Sequence, residues 1–164
     1  MPLPLFIAFA ALASIGAIVM VTRRNPISSA LALTVSLIAL AALFAGLSAH
    51  FLFAIQLLVY AGAIMVLVIF VIMLLNLRDE DLKTEGLNLV RGGAATAAGI
   101  VIFVALVRLF ARVRVSLPVA AADFGEARPI SRLLFTDYVV PFEIVSLVLL
   151  VAIVGAVVVA KRHF

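Results

Sequence analysis

The chain has 164 residues, 67% of them hydrophobic and 12% charged, with a mean hydropathy of +1.38 and a formal net charge of +4. Water-soluble domains are about half apolar and about a quarter charged, so a soluble globule is excluded and the solvent of this chain is lipid. The basic balance suits loops at a membrane surface. Nucleic-acid binding would want a basic, aromatic-interleaved patch outside the apolar segments, and the sequence has none.

Cysteine is absent, which removes disulfides, iron–sulfur clusters and thiolate metal sites from the chain's own chemistry. The start, Met1-Pro2-Leu3-Pro4, lacks the positive region of a signal peptide, so the first apolar segment is expected to be a retained span. The expected fold is all-α: a polytopic integral membrane protein, one membrane domain over 1–164, with five transmembrane helices at about 3–21, 27–47, 51–77, 89–110 and 138–160.

In chain order, the first span ends at Thr22-Arg23-Arg24-Asn25-Pro26, a short charged turn whose proline suits the start of the next helix. In the second span Ser29, Ala32, Ser36, Ala39, Ala42 and Gly46 recur at helical spacing on one face. Small residues let helices approach closely in lipid, so this face is expected to pack against protein. Ser48-Ala49-His50 is a tight turn that makes the second and third spans antiparallel neighbours. The third span is uncharged from Phe51 to Leu77, and at about 1.5 Å per residue it would reach roughly 40 Å, against about 30 Å of hydrocarbon. It is followed by the most charged stretch, Arg78-Asp79-Glu80-Asp81-Leu82-Lys83-Thr84-Glu85-Gly86. The fourth span opens with Gly92-Gly93-Ala94-Ala95 and has Arg91 and Arg108 near its ends, where long side chains can snorkel. The loop 112–137, with Pro118, Pro129 and Asp123-Phe124-Gly125-Glu126, has room for a short interfacial segment. The last span carries a small-residue seam at Ala152, Ala156 and Ala160. There is no internal repeat of the kind many transporters show.

The chemistry the chain could carry alone is limited. No glycine-rich fingerprint joins a strand to a helix. His50 and His163 sit at span ends on opposite expected sides and cannot share a metal. An ion carrier usually holds acids or bases within its spans, yet the middle third of each span has no Asp, Glu, Lys, Arg or His. Glu143 is the nearest exception. It follows Pro141 in the expected first turn of the last span, where the helix dipole favours a carboxylate. It reads either as an interfacial helix-start residue or as a polar contact to a partner or proton path.

The centre of the third span is different. Gln56, Tyr60 and Ala63, spaced four and three apart, would share one face of a regular helix. Tyr usually sits at membrane interfaces, but Tyr60 lies nine residues past Phe51, roughly 13 Å deep. Gly62 weakens the helix locally by about 1 kcal/mol relative to Ala. The surplus length can be absorbed by tilt, kink, extension beyond the lipid or a bulge, and a π-bulge at this point is the kind often met at functional sites. A tyrosine satisfied by a neighbouring helix, with Gly62 serving close packing, explains the same residues without a switch.

The run QLLVYAGAIMVLVIFVIMLLNL, 56–77, resembles the third span of subunit J of bacterial NADH-quinone oxidoreductase, the counterpart of mitochondrial complex I subunit 6. The run LFTDYVVPFEIVSLVLLVAIVGAVVVAKR, 134–162, resembles that family's last span, with its Pro-Phe-Glu opening and an Ile-Gly-Ala-like centre (here Val154-Gly155-Ala156). Asn25-Pro26 with Ser29-Ala30-Leu31 is similar to the start of its second span. The matches cover about a third of the chain; His50 and Val68-Ile69 depart mildly from the family pattern. The resemblance implies a membrane-arm subunit without a redox centre. FMN, the iron–sulfur clusters, NADH and quinone would belong to other subunits. The implied neighbours, in the bacterial lettering, are the glutamate-bearing K, the quinone-site H, the A and the antiporter-like N subunits of the complex, with membrane lipid around them. It further implies a π-bulge near Tyr60 and Gly62 as a hinge, with Val66 and Phe70 as apolar gate residues. Gln56 and Glu143 would give polar support. Nothing in the chain reads the electron donor, so a relative using a reduced deazaflavin or ferredoxin stays open. A freestanding small transporter would need the midplane charges that are missing.

Five spans place the two ends on opposite sides. Arg23, Arg24, Arg78, Lys83, Arg91, Lys161 and Arg162 fall on one side; Arg108, Arg112, Arg114, Arg128 and Arg132 fall on the other. Seven against five, with the pair directly after the first span, makes the first group cytoplasmic. In a bacterial inner membrane the N-terminus is then periplasmic. Reporter fusions should show an external N-terminus and an internal C-terminus, and a cytoplasmic N-terminus would reverse the assignment.

Overall fold

The computed structural model describes residues 1–75, 89–112 and 124–161. The charged stretch 78–86, Arg114, Pro118, Arg162 and His163 lie outside them, as does the side chain of Arg91. The described chain forms α1 (Leu3–Thr22), α2 (Pro26–Gly46), α3 (His50–Leu75), α4 (Leu89–Arg112), α5 (Ala127–Phe135) and α6 (Val139–Ala160). The protein is all-α and polytopic: α1, α2, α3 and α6 are long and apolar enough to cross a membrane. α4 has 24 residues, about 36 Å of helix.

The start of α2 follows from two adjacent residues. Asn25 caps the helix, its side-chain oxygen accepting from the amides of Ile27 (3.0 Å) and Ser28 (3.2 Å). Pro26 occupies the first turn, where its missing N–H costs nothing. At the other end, Ser48 adopts a left-handed φ of 62°. The amide of Ala49 donates to the carbonyl of Phe44 and that of Ser48 to Ala45. These two bonds make a Schellman cap and reverse the chain into α3.

α2 is the central helix, packing against α1 on one side and α3 on the other. Toward α1 the small-residue face behaves as its spacing implies. The Ser36 hydroxyl donates to the Ala13 carbonyl (2.7 Å) and the Ser29 hydroxyl to the Met20 carbonyl (2.5 Å). Gly16 of α1 is buried at this crossing; a Cβ there would come within 3.0 Å of the Ala32 carbonyl and the Ser36 Cβ. Ala39 is buried on this face, while Ala30 and, three turns on, Ala41 are buried on another. By contrast the described residues of α6 are exposed along its whole length, as are the described side chains of α4. In a membrane these apolar surfaces meet lipid or other subunits.

Gly16→Leu should therefore drive α1 from α2, costing about 1–3 kcal/mol by overpacking. Gly155→Leu, with nothing within 4 Å of the added Cβ, should leave the purified chain's denaturation midpoint unchanged. Circular dichroism during a denaturing-detergent titration checks both.

Candidate functional site

α3 changes its hydrogen-bond ladder partway along. It begins as a regular helix over His50–Ile55, becomes a π-helix over Gln56–Ile64 and returns to a regular helix over Met65–Leu75. At the upper boundary the Gln56 amide reaches the Leu52 and Phe53 carbonyls. At the lower boundary the Met65 amide reaches the carbonyl of Tyr60, five residues back, as well as that of Gly62. The π segment coincides with Gln56, Tyr60, Ala61 and Gly62, and Gly62 belongs to it for a steric reason. A Cβ at Gly62 would lie 3.1 Å from the Leu57 carbonyl, again five residues back. A side chain there is crowded by the wide turn itself.

The register shift has a measurable consequence. Gln56 is 7% exposed and Met65 is 3% exposed, and the segment they bound packs against α2. Nine residues at about 100° each come to about 900°, so a regular helix would put these two on opposite sides. The π segment brings both inward. Gln56 and Tyr60, which a regular helix would align, differ in environment: Tyr60 is 47% exposed, and its hydroxyl has no hydrogen-bond partner among the described residues. Val66 and Phe70 are exposed, about 100° and 140° around the helix from Met65.

Below the π segment the packing of α3 leaves a groove. This groove of about 190 Å³ separates the lower half of α3 from α2 and the end of α1, lined by Met20, Pro26, Ser29, Ala30, Leu33, Met65, Val68 and Ile72. Methionine fills irregular gaps with little directional preference, so this contact tolerates alternatives.

The upper end is fixed. Gly125, from the segment before α5, accepts a hydrogen bond on its carbonyl from the Phe51 amide (2.9 Å), one of the amides that a helix start leaves without an internal partner. Gly125 has φ +88°, and an added Cβ would strike the Ser48 carbonyl and lie 2.9 Å from the Ala49 Cα. Residues 48–51 and 125 therefore meet at the start of α3. Asp123-Phe124-Gly125-Glu126 reads as a turn in the sequence, but nothing in it names this partner.

Glu143 is exposed and is the fifth residue of α6. Since α6 starts at Val139, no acid lies in its first turn, and the dipole stabilisation expected for Glu143 is weaker than the sequence suggests. Its backbone carbonyl accepts from the Ser146 hydroxyl (2.7 Å).

A sequence family described as NADH-ubiquinone/plastoquinone oxidoreductase chain 6 matches residues 16–159. The chain belongs to this family. It is 36% identical over 162 residues to NAD(P)H-quinone oxidoreductase subunit 6 of the Paulinella chromatophora chromatophore, covering 96% of this chain and 77% of the relative. It is 35% identical over 161 residues to the NAD(P)H-quinone oxidoreductase chain 6 of Leptolyngbya boryana, covering 96% and 80%. The chloroplastic subunit 6 of Mesostigma viride is 34% identical over 149 residues, covering 91% and 78%.

Gly125→Ala should place a side chain in left-handed backbone against the α2–α3 turn, a strain of about 1–3 kcal/mol. The expected result is faster hydrogen exchange at the Phe51 amide, with exchange in α1 unchanged. Unchanged exchange at Phe51 would mean that the contact does not hold the start of α3.

Proposed function

We propose that the chain serves as a membrane-arm subunit of a proton-translocating NADH- or NAD(P)H-quinone oxidoreductase and that α3 is its moving part. Membership of the chain 6 family supports the first statement. The observation that carries the second is the π segment in the middle of an uncharged membrane helix. The middle third of each expected span has no Asp, Glu, Lys, Arg or His to carry protons. FMN, iron–sulfur clusters, NADH and quinone belong in this reading to other subunits. The K, H, A and N subunits are the partners it fits, in the inner membrane of a bacterium, with the N-terminus periplasmic. The chloroplastic and chromatophore relatives extend the same role to related membranes.

The geometry gives the motion a size. Each i→i+5 turn that reverts to i→i+4 bonding turns the helix below it by about 100°, one residue's share of a 3.6-residue turn. Conversion of the whole segment turns the lower half by about 180°. It withdraws Met65, Val68 and Ile72 from α2 and carries Phe70 toward it, while Val66 changes sides. The clamp at Phe51 keeps the upper half still, and the apolar lower half excludes water in one position and admits it beside a partner's acids in the other. Gln56 packs at the fixed end of the segment, and Glu143 offers an exposed polar contact from α6.

Two substitutions test this. Gly62→Leu crowds the Leu57 carbonyl and favours the regular helix; it should lower quinone-coupled proton pumping severalfold while NADH oxidation by a peripheral-arm acceptor survives. Normal pumping would remove the hinge. Tyr60→Phe should lower coupled turnover if the unpartnered hydroxyl meets a group on another subunit, and unchanged activity assigns it to packing alone. Mass spectrometry of the proteins that copurify in mild detergent should reveal flavin, iron–sulfur and antiporter-like subunits, whereas a homo-oligomer of this chain would point to a freestanding transporter.

A further inference from the structure

Outside α3, the feature without a role so far is α5, a short helix in the loop that had room for one. Its nine residues run Ala-Arg-Pro-Ile-Ser-Arg-Leu-Leu-Phe and divide around the helix. At about 100° per residue, Arg128 and Arg132 lie within about 40° of each other, and Pro129 and Leu133 form the adjoining strip. These four residues line one open groove of about 520 Å³. Neither arginine is ion-paired with a carboxylate among the described residues.

Its position against the neighbouring helices is also defined. α5 ends at Phe135, four residues before α6 begins at Val139. The Phe135 and Phe142 rings meet edge to face at 5.1 Å, holding α5 against the start of that span. Tyr138, at the junction, is a residue type enriched at the headgroup level. At the other end, the Gly125 carbonyl bonds the Phe51 amide at the start of α3. A short helix held at both ends beside two membrane helices lies at the interface, not in the aqueous phase.

We infer that the Arg128–Pro129–Arg132–Leu133 groove of α5 binds the headgroup of an anionic phospholipid. Guanidinium groups four residues apart supply paired donors for a phosphate. Pro129 and Leu133 give the glycerol and first acyl carbons an apolar wall, and the unpaired positive charge selects anionic over zwitterionic lipid. A bound lipid there would lie beside α5 and the exposed surface of α6.

The test is native mass spectrometry of the full chain released from nanodiscs that contain equal phosphatidylglycerol and phosphatidylcholine. Wild type should retain phosphatidylglycerol selectively. Arg128→Gln/Arg132→Gln should weaken that retention about 30-fold, roughly fivefold for each arginine at an anionic surface. Arg128→Lys/Arg132→Lys should recover part of it. Arg23→Gln/Arg24→Gln removes the same charge at another turn and should leave retention within about twofold. An equal loss in both glutamine pairs would reduce the effect to bulk charge and overturn the site, as would unchanged retention in Arg128→Gln/Arg132→Gln. Normal lipid retention with loss of a copurifying protein in that variant would reassign the groove to a protein interface.

Discussion

A backbone amide in hydrocarbon has no water to turn to, and every span must bond its own polar groups. Several Ser and Thr hydroxyls obey the same constraint here, whereas that of Tyr60 has no partner among the described residues. Those of Ser14, Thr22 and Thr34 donate to carbonyls within their own helix, while those of Ser29 and Ser36 reach carbonyls of α1. The π segment of α3 respects the constraint in an unusual way. It changes the hydrogen-bond partner from four residues back to five and keeps a partner. A helix with two bonded ladders available can pass between them at membrane depth with little exposed backbone at either end state. A kink or an unwound stretch would need water or a neighbour to complete its bonds.

That freedom is confined by packing. α2 is gripped on two sides, by α1 through small residues and hydroxyl–carbonyl bonds, and by α3. The α1 contact is close at Gly16 and allows little displacement. The contact with lower α3 rests on Met65, Val68 and Ile72 over a groove, without a hydrogen bond among the described residues. The three N-terminal helices thus pack closely at the α1–α2 crossing and beside a groove at lower α3. α4 and α6, exposed over their described side chains, are incomplete as packed elements until lipid or other subunits cover them.

Much of this was legible in the residues. Apolar runs and the Asn25-Pro26 signal place the helices because burial and capping are local properties. The small face of the second span appears at the α1 crossing because a 3.6-residue spacing survives folding in a regular helix. It fails in α3, where Gln56, Tyr60 and Ala63 do not share one environment: the spacing rule presumes a ladder that the segment abandons. The surplus length, the deep Tyr60 and Gly62 mark where the ladder changes, but i→i+5 bonding has no residue code to fix nine residues of it. The Gly125 contact depends on two segments more than seventy positions apart, which no local pattern relates. The arginine spacing of α5 was visible, but the face it belongs to appears only once the helix limits are known.

A rotation is useful only if one end stays still, and the two ends of α3 are built differently. Above the π segment the chain arrives through a Schellman cap, and the Phe51 amide of the first turn is taken by the Gly125 carbonyl. Both are directional backbone bonds that a turn of the helix would break. Below it, the described contacts are apolar and undirected, so a turned helix exchanges one set of side chains for another at small cost. A change in ladder therefore appears as movement of the lower half. That half carries only apolar residues to Leu75, as the proposed barrier to water requires. In the proposed reading the acids that such a barrier controls belong to another chain, and Val66 and Phe70, exposed in this chain, are free to meet it.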